Sequence, residues 1–372
     1  MNNIQKLAEL GQSIWIDNIQ RKMLTGGGLQ AMIDEGLRGM TSNPTIFERA
    51  ISGSSDYDEA MRTLIDQGAT AEQVFDALTI EDVGMAADIF RPVFDRTQGR
   101  DGYVSIEVSP KLAHDGAGTL ADARRLWQTL KRPNVMIKIP ATQEGLPAIE
   151  QSLTEGINVN VTLMFSMNHY LAVVASFLRA LEARVKAGQP IDHIASVASF
   201  FVSRVDTLLD AKLEQIMKAE GPNASVAAAL LGRAAIANSQ VVYGKYLELF
   251  TSDRFKALSA KGAKVQRVLW ASTSTKNPNY LDVMYVNELI GPDTVNTVPP
   301  ETYHAILDHA IVERTVDRDV AAARQVVDVL KAIGFDLNEV GEQLSVEGVD
   351  KFTKSFDGLL HVIEQKQAAL VK

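Results

Sequence analysis

In the stretch VMIKIP, residues 135–140, a single lysine, Lys138, interrupts an apolar run of strand character. An unpaired ammonium in a low-dielectric strand costs several kcal/mol, so a buried lysine pairs, deprotonates or reacts. Two acids interrupt other strand-like runs in the same way: Asp17 in IWID and Glu107 in VSIEV. An amine drawn from its usual pKa of about 10.4 towards neutrality becomes a nucleophile that condenses with a carbonyl to a Schiff base. Carbon–carbon cleavage beside the iminium needs a base for a substrate hydroxyl, and imine formation needs proton transfers that expel water. Two carboxylates with separate roles are therefore natural partners for the lysine. The rival reading packs the lysine stem and carries its head to water at a strand end. That reading leaves the two acids unexplained.

These residues need elements to hold them. Eight β-rich runs recur along the chain: SIWIDN near 13, GMTSNP near 39, YVSIEVS near 103, NVMIKIP near 134, NVNVTLMF near 158, ASVASFFVS near 195, RVLWASTS near 267 and DTVNTVP near 293. Helical periodicity fills the intervals, as over Asn168 to Lys186 and Ser225 to Phe250. Strands alternating with helices imply parallel pairing through right-handed crossovers, and eight such units can close into an α/β (β/α)8 barrel, with an open doubly wound sheet as the rival. Successive side chains in a strand point to opposite faces. Val104, Ile106 and Val108 thus oppose Ser105 and Glu107; Val135, Ile137 and Ile139 oppose Met136 and Lys138; Val159, Val161 and Leu163 oppose Asn158, Asn160 and Thr162. The same parity groups Thr41 with Asn43, Ser199 with Phe201, and Trp270 with Ser272. A parallel strand covered on both faces reads as almost continuously apolar, so one polar face in strand after strand points to a barrel whose interior carries a site. Helix capping accounts for Asn43 or Ser272 singly, but not for Lys138, Glu107 and Asp17 together.

The 372 residues read as one barrel domain with helical insertions at about 51–100 and 205–266, and a C-terminal tail from Ser345 to residue 372. In the tail Val349, Phe352, Phe356, Leu359, Leu360 and Ile363 share a helix face that packs back on the barrel. The formal charge of −9 argues against a general nucleic-acid binder. An anionic ligand then needs a local basic pocket. Arg204 after SFFVS and Lys276 in ASTSTKNP, both near Ser272, offer one beyond the strand ends. No cysteine is present, which excludes disulfides, thiolate metal sites and a cysteine nucleophile. The histidines at 114, 169, 193, 304, 309 and 361 lack ligand spacing, and read as surface or helix residues; no metal is expected. TGGGL at Thr25–Leu29 reads as a turn, since it does not follow a strand as a phosphate-binding loop does. No window reaches the length of a membrane span and the N-terminus MNNIQKLAELGQS lacks a leader pattern, so the expectation is a cytoplasmic protein.

GMTSNPTIFERA, VSIEVSP, VMIKIPAT, GINVNVTLMFS, SFFVSRVD and LWASTSTKNP follow one another in this order, and together the chain resembles the transaldolase family over essentially its whole length. The resemblance implies a single (β/α)8 barrel and cofactor-free transfer of a dihydroxyacetone unit between sugar phosphates in the pentose phosphate pathway of carbohydrate metabolism. By position it makes Lys138 the Schiff-base lysine and Asp17 the acid/base at the cleaved bond, while Glu107 and Thr162 hold the water of imine formation. It makes Asn43, Asn160 and Ser199 ligands of the dihydroxyacetone hydroxyls, Phe201 a wall of the pocket, and Arg204 and Ser272 phosphate ligands. In the shorter transaldolases an arginine lies two residues after the serine matching Ser272; here that position is Ser274, and the resemblance to the longer, bacterial-type branch gives the role to Lys276. Two alternatives stay open: an aldolase of the fructose-6-phosphate type that uses the same lysine, and a non-catalytic sugar-phosphate-binding barrel. The sequence leaves both monomer and homodimer open.

Overall fold

The computed structural model describes residues 1–370. Eight parallel strands close into a barrel in sequence order: β1 Gln12–Asp17, β2 Gly39–Thr41, β3 Tyr103–Glu107, β4 Val135–Pro140, β5 Val159–Met164, β6 Ser196–Phe201, β7 Arg267–Ala271 and β8 Thr294–Val298. All eight expected runs fall on this barrel, and β1 pairs with β8 to close it, which rules out the open sheet. Val104, Val135, Ile137, Ile139, Val159 and Val161 are buried under the surrounding helices. Their strand neighbours turn inward and form layers. At the N-terminal end of the barrel Arg267 pairs with Asp101 at 3.0 Å, both side chains almost fully buried, and Ser13 bonds to each. Above them the Trp15 ring fills the axis beside Tyr103. A Cβ at Gly39 would stand 2.5 Å from the indole, so only glycine leaves the ring its place. Next comes a hydrogen-bonded row: Ser199 Oγ donates to Asn160 Oδ1 at 2.6 Å, and Asn160 Nδ2 donates to Ser105 Oγ at 3.0 Å. Asp17, Glu107 and Lys138 lie beyond this row, at the C-terminal ends of their strands.

The grouping of Trp270 with Ser272 does not hold. Trp270 faces the outer layer, where it packs edge-on against Phe200 and donates from Nε1 to the Leu289 carbonyl. Ser272 then takes φ +56°, in the left-handed region, so it no longer obeys strand parity. A similar irregularity marks β5, where the register with β6 shifts between Val161 and Met164 and Leu163 has φ +59°.

Helix Met167–Lys186 matches the expected Asn168–Lys186. The expected continuous helix over Ser225–Phe250 is instead two, Ala224–Leu230 and Ala234–Phe250, bent by 62°. Two acids on the preceding helix, Ser203–Lys218, impose the break. Asp210 accepts the N–H of Gly232, and Asp206 accepts that of Ala235. The C-terminal helix begins at Leu337, before the expected Ser345, and runs to Leu370. Val349, Phe352, Phe356, Leu359 and Ile363 are buried, with Leu360 at the margin. This helix packs on helices Pro44–Ser52 and Ala71–Arg96 and on β5, and Glu342 reaches the buried His169 at 3.0 Å. TGGGL joins two short helices, with Gly27 at φ +79°. Among the described residues no single helix is long and apolar enough to cross a membrane.

Candidate active site

Lys138 sits at the floor of a cavity of about 640 Å³ at the C-terminal mouth of the barrel. Its side chain is 6% exposed; Nζ donates to the Ser42 carbonyl at 3.3 Å and lies 3.8 Å from Glu107 Oε2. The barrel register makes this meeting inevitable. Glu107 pairs with Lys138 across β3 and β4, and Lys138 with Asn160 across β4 and β5, so the three side chains project inward at neighbouring positions. Asp17 pairs likewise with Thr41 across β1 and β2. The Thr41 hydroxyl donates to Asp17 Oδ1 at 2.6 Å and meets the Thr297 hydroxyl at 2.7 Å, which fixes the orientation of the carboxylate.

Burial dominates the electrostatics. It raises the Asp17 carboxyl above its usual range, against the opposing charge of Lys138, the Thr41 hydrogen bond and Arg204. The Glu107 carboxyl is pushed up to about 7, first by burial and then by Asp17, with Lys138 and Arg204 pulling the other way. A carboxyl titrating near neutrality can both give and take a proton under ordinary conditions. Glu107 Oε2 and Thr162 Oγ1 are buried and have no hydrogen-bond partner among the described residues, and they lie on the strands that flank Lys138. Polar atoms in that condition are available to hold a small polar ligand beside the amine.

Of the residues singled out from sequence, Asp17, Asn43, Lys138, Thr162, Ser199, Phe201, Arg204, Ser272 and Lys276 all line this cavity. Asn160 is fully buried beneath it, held between Ser199 and Ser105. Glu107 faces Lys138 and also borders a second cavity of about 680 Å³, walled by Phe47, Phe75, Leu126 and Phe356. Asn43 borders both cavities and caps helix Pro44–Ser52, accepting the Ile46 N–H at 3.0 Å. The capping reading is thus correct for its carbonyl oxygen. Ser272, turned by its positive φ, meets the Ser203 hydroxyl at 2.9 Å. Lys276 donates to Ser274 at 2.6 Å, so these two residues form one polar edge just beyond Ser272. Arg204, in the first turn of its helix, lies 4.9 Å from the Phe201 ring. Burial lowers its pKa, opposed by Asp17, Glu107 and Glu347.

Sequence reasoning missed Thr41 and Thr297 as supports of Asp17, and Arg49, Lys351 and Phe352 as parts of the cavity wall. Parity had already put Thr41 on the inner face, and Arg49 lies inside the motif GMTSNPTIFERA. Lys351 and Phe352 carried no signal beyond the amphipathic spacing of the tail.

Residues 14–363 match the family described as transaldolase/fructose-6-phosphate aldolase. A transaldolase of Trichodesmium erythraeum is 47% identical over 370 residues, covering 98% of this chain and 97% of that protein. One from Saccharopolyspora erythraea is 48% identical over 367 residues, with 98% of each chain covered. Another from Thermobifida fusca is 46% identical over 368 residues, again with 98% of each covered.

Proposed function

Because this chain belongs to the transaldolase/fructose-6-phosphate aldolase family, we propose that it is a transaldolase, moving a dihydroxyacetone unit from a ketose phosphate to an aldose phosphate in the non-oxidative pentose phosphate pathway. The observation that carries this reading is Lys138, buried at the floor of the mouth cavity between Glu107 and Thr162 and sharing that cavity with Asp17 and Arg204. Lys138 attacks the ketone of fructose 6-phosphate or sedoheptulose 7-phosphate. A water held by Glu107 and Thr162 relays the protons that let the carbinolamine lose water to the iminium. Asp17 takes the proton of the substrate hydroxyl, the C3–C4 bond breaks, and its electrons pass into the iminium to give an enamine as the aldose phosphate leaves. An acceptor such as glyceraldehyde 3-phosphate or erythrose 4-phosphate then adds, with the steps reversed.

Asn43 and Ser199 hold the hydroxyls of the three-carbon unit, with Asn160 acting from beneath through its bond to Ser199; Phe201 walls it, and Arg204, Ser272 and Lys276 take the phosphate. Charge-assisted bonds from an arginine and a lysine give a phosphate both attraction and orientation, which a chain of net charge −9 does not otherwise offer. The C-terminal helix packs on helix Pro44–Ser52 and on β5, which supports reading the whole chain as one working domain. We place its work in the cytoplasm, where charged sugar phosphates are made and consumed.

Incubation with fructose 6-phosphate, borohydride reduction and peptide mass spectrometry test this directly. The expected result is a reduced three-carbon adduct on Lys138. A folded protein that gives no adduct with either fructose 6-phosphate or sedoheptulose 7-phosphate rejects the Schiff-base reading. Dihydroxyacetone release in the absence of acceptor measures the aldolase share of the same chemistry.

A further inference from the structure

The C-terminal helix is built into the mouth of the barrel. Leu344, Glu347, Lys351 and Phe352 all line the cavity that holds Lys138. Their spacing of three, four and one puts them on one side of the helix. Gly348 lies within this face. A Cβ there would stand 2.9 Å from Leu163 Cδ2 and 3.4 Å from Arg204 Nη1, so glycine is what lets the helix settle onto the rim. Leu163 is the residue whose positive φ bends the end of β5, and Arg204 lies with its guanidinium 4.9 Å from the Phe201 ring and 5.8 Å from Phe352. The guanidinium thereby joins the barrel to the helix.

Besides Lys138 at the floor, four cations reach this cavity from four different elements: Arg49 from helix Pro44–Ser52, Arg204 from helix Ser203–Lys218, Lys276 from the loop after β7, and Lys351 from the C-terminal helix. Among the described residues none of the four has a carboxylate within ion-pair distance, 4.0 Å. Lys351 is lowered from its usual pKa first by partial burial and then by the charges of Arg204, Lys276 and Arg49, so the four act on one another. Cations held together with no carboxylate in direct contact repel one another in the empty site, and a dianion entering between them relieves the repulsion. Asp17 deeper in the cavity and Glu301 and Glu347 on its wall soften the excess without forming an ion pair with any of the four.

We propose that Lys351 and Arg49 are specificity-determining ligands of the substrate phosphate, which is clamped between the barrel and the C-terminal helix. The proposal rests on the reading of this cavity as a sugar-phosphate site, and adds to it two residues on helices outside the barrel. Lys351 is exposed on the helix, so its replacement leaves the core intact. Lys351→Met keeps the stem and removes the charge. The expected result is a KM for fructose 6-phosphate raised about tenfold or more, the scale of one charge-assisted hydrogen bond, with kcat changed far less. The loss in kcat/KM is expected to be at least several-fold greater on fructose 6-phosphate than on unphosphorylated fructose, and Lys351→Arg recovers most of it. Arg49→Met moves in the same direction, and the double variant further. A Lys351→Met enzyme with the wild-type KM, or with equal losses on the two donors, overturns the proposal. Failure of the wild type to form an adduct on Lys138 overturns instead the reading on which it rests.

Discussion

Glu107 and Lys138 occupy paired positions on adjacent parallel strands, and their charged atoms stand 3.8 Å apart, within strong electrostatic reach but beyond a direct hydrogen bond. The acid therefore feels the cation while its Oε2 stays without a protein donor. Burial outweighs the attraction and brings the carboxyl up to about 7. The donor half-reaction, followed by borohydride trapping against time, is expected to change rate with pH around that value. Glu107→Gln should remove the inflection and slow imine formation by roughly 10²–10⁴-fold, the usual range for a lost proton-transfer group. A variant that keeps the inflection would assign it to another group.

The same shift has a consequence for stability. A carboxyl whose folded pKa of about 7 exceeds its unfolded value of 4.5 binds more protons folded than unfolded between those limits. Stability is then lost as pH rises through that window. Relative to wild type, the melting temperature of Glu107→Gln should improve steadily from pH 4.5 to pH 8, by at most about 3 kcal/mol in stability, with no further gain below 4.5. Parallel melting curves of the two proteins across this range would contradict the assignment.

Asp17 is held by Thr41 at 2.6 Å and is a separate group from the acid beside the amine. Asp17→Asn should leave Schiff-base formation in place while cutting carbon–carbon cleavage by roughly 10²–10⁴-fold. Borohydride added with fructose 6-phosphate would then trap a six-carbon adduct on Lys138 in place of the three-carbon one. Recovery of only the three-carbon adduct would give the hydroxyl proton to a different base.

Asp206 and Asp210, one turn apart on the helix that starts beside Arg204, each take one backbone N–H from the corner 232–235 and one tyrosine hydroxyl, from Tyr285 and Tyr280. Those tyrosines follow Lys276 in sequence, so the acids tie the loop of Lys276 to the helix of Arg204. Tyr280→Phe should cost about 1–2 kcal/mol of stability and raise KM for phosphorylated donors more than it lowers kcat. Gly232→Ala should cost more, because φ is +67° and the added Cβ would lie 2.8 Å from the Tyr280 ring. Thermal melts and donor kinetics read both; a KM untouched in Tyr280→Phe would show that the loop holds its place by other contacts.

The barrel was legible because each of its strands presents one face to helices and one to the interior, so alternation survives as a pattern in residue type. Asp17, Glu107, Lys138, Asn160 and Thr162 follow from that alternation and from strand pairing. Ser272 does not, since its place in the mouth comes from a left-handed backbone that nothing about serine announces. Arg49 and Lys351 look in sequence like any cation on an amphipathic helix, and only the fold shows that their helices end up at the rim. The split of Ser225–Phe250 was hidden for a related reason. The acids that take the freed N–H groups lie one helix earlier, at Asp206 and Asp210.

Trp15, wedged against Gly39 and backed by the Arg267–Asp101 pair, plugs the N-terminal end of the barrel like the base of a cup. Lys138 lines the mouth cavity and is absent from the wall of the neighbouring one. The acceptor therefore approaches the enamine from the mouth, while the neighbouring cavity reaches as far as Glu107 and Asn43. Once the aldose phosphate has left, the fate of the bound three-carbon unit becomes a race between acceptor and solvent to arrive first in a usable pose. Transfer wins in proportion to the supply of acceptor and to how firmly the rim retains it.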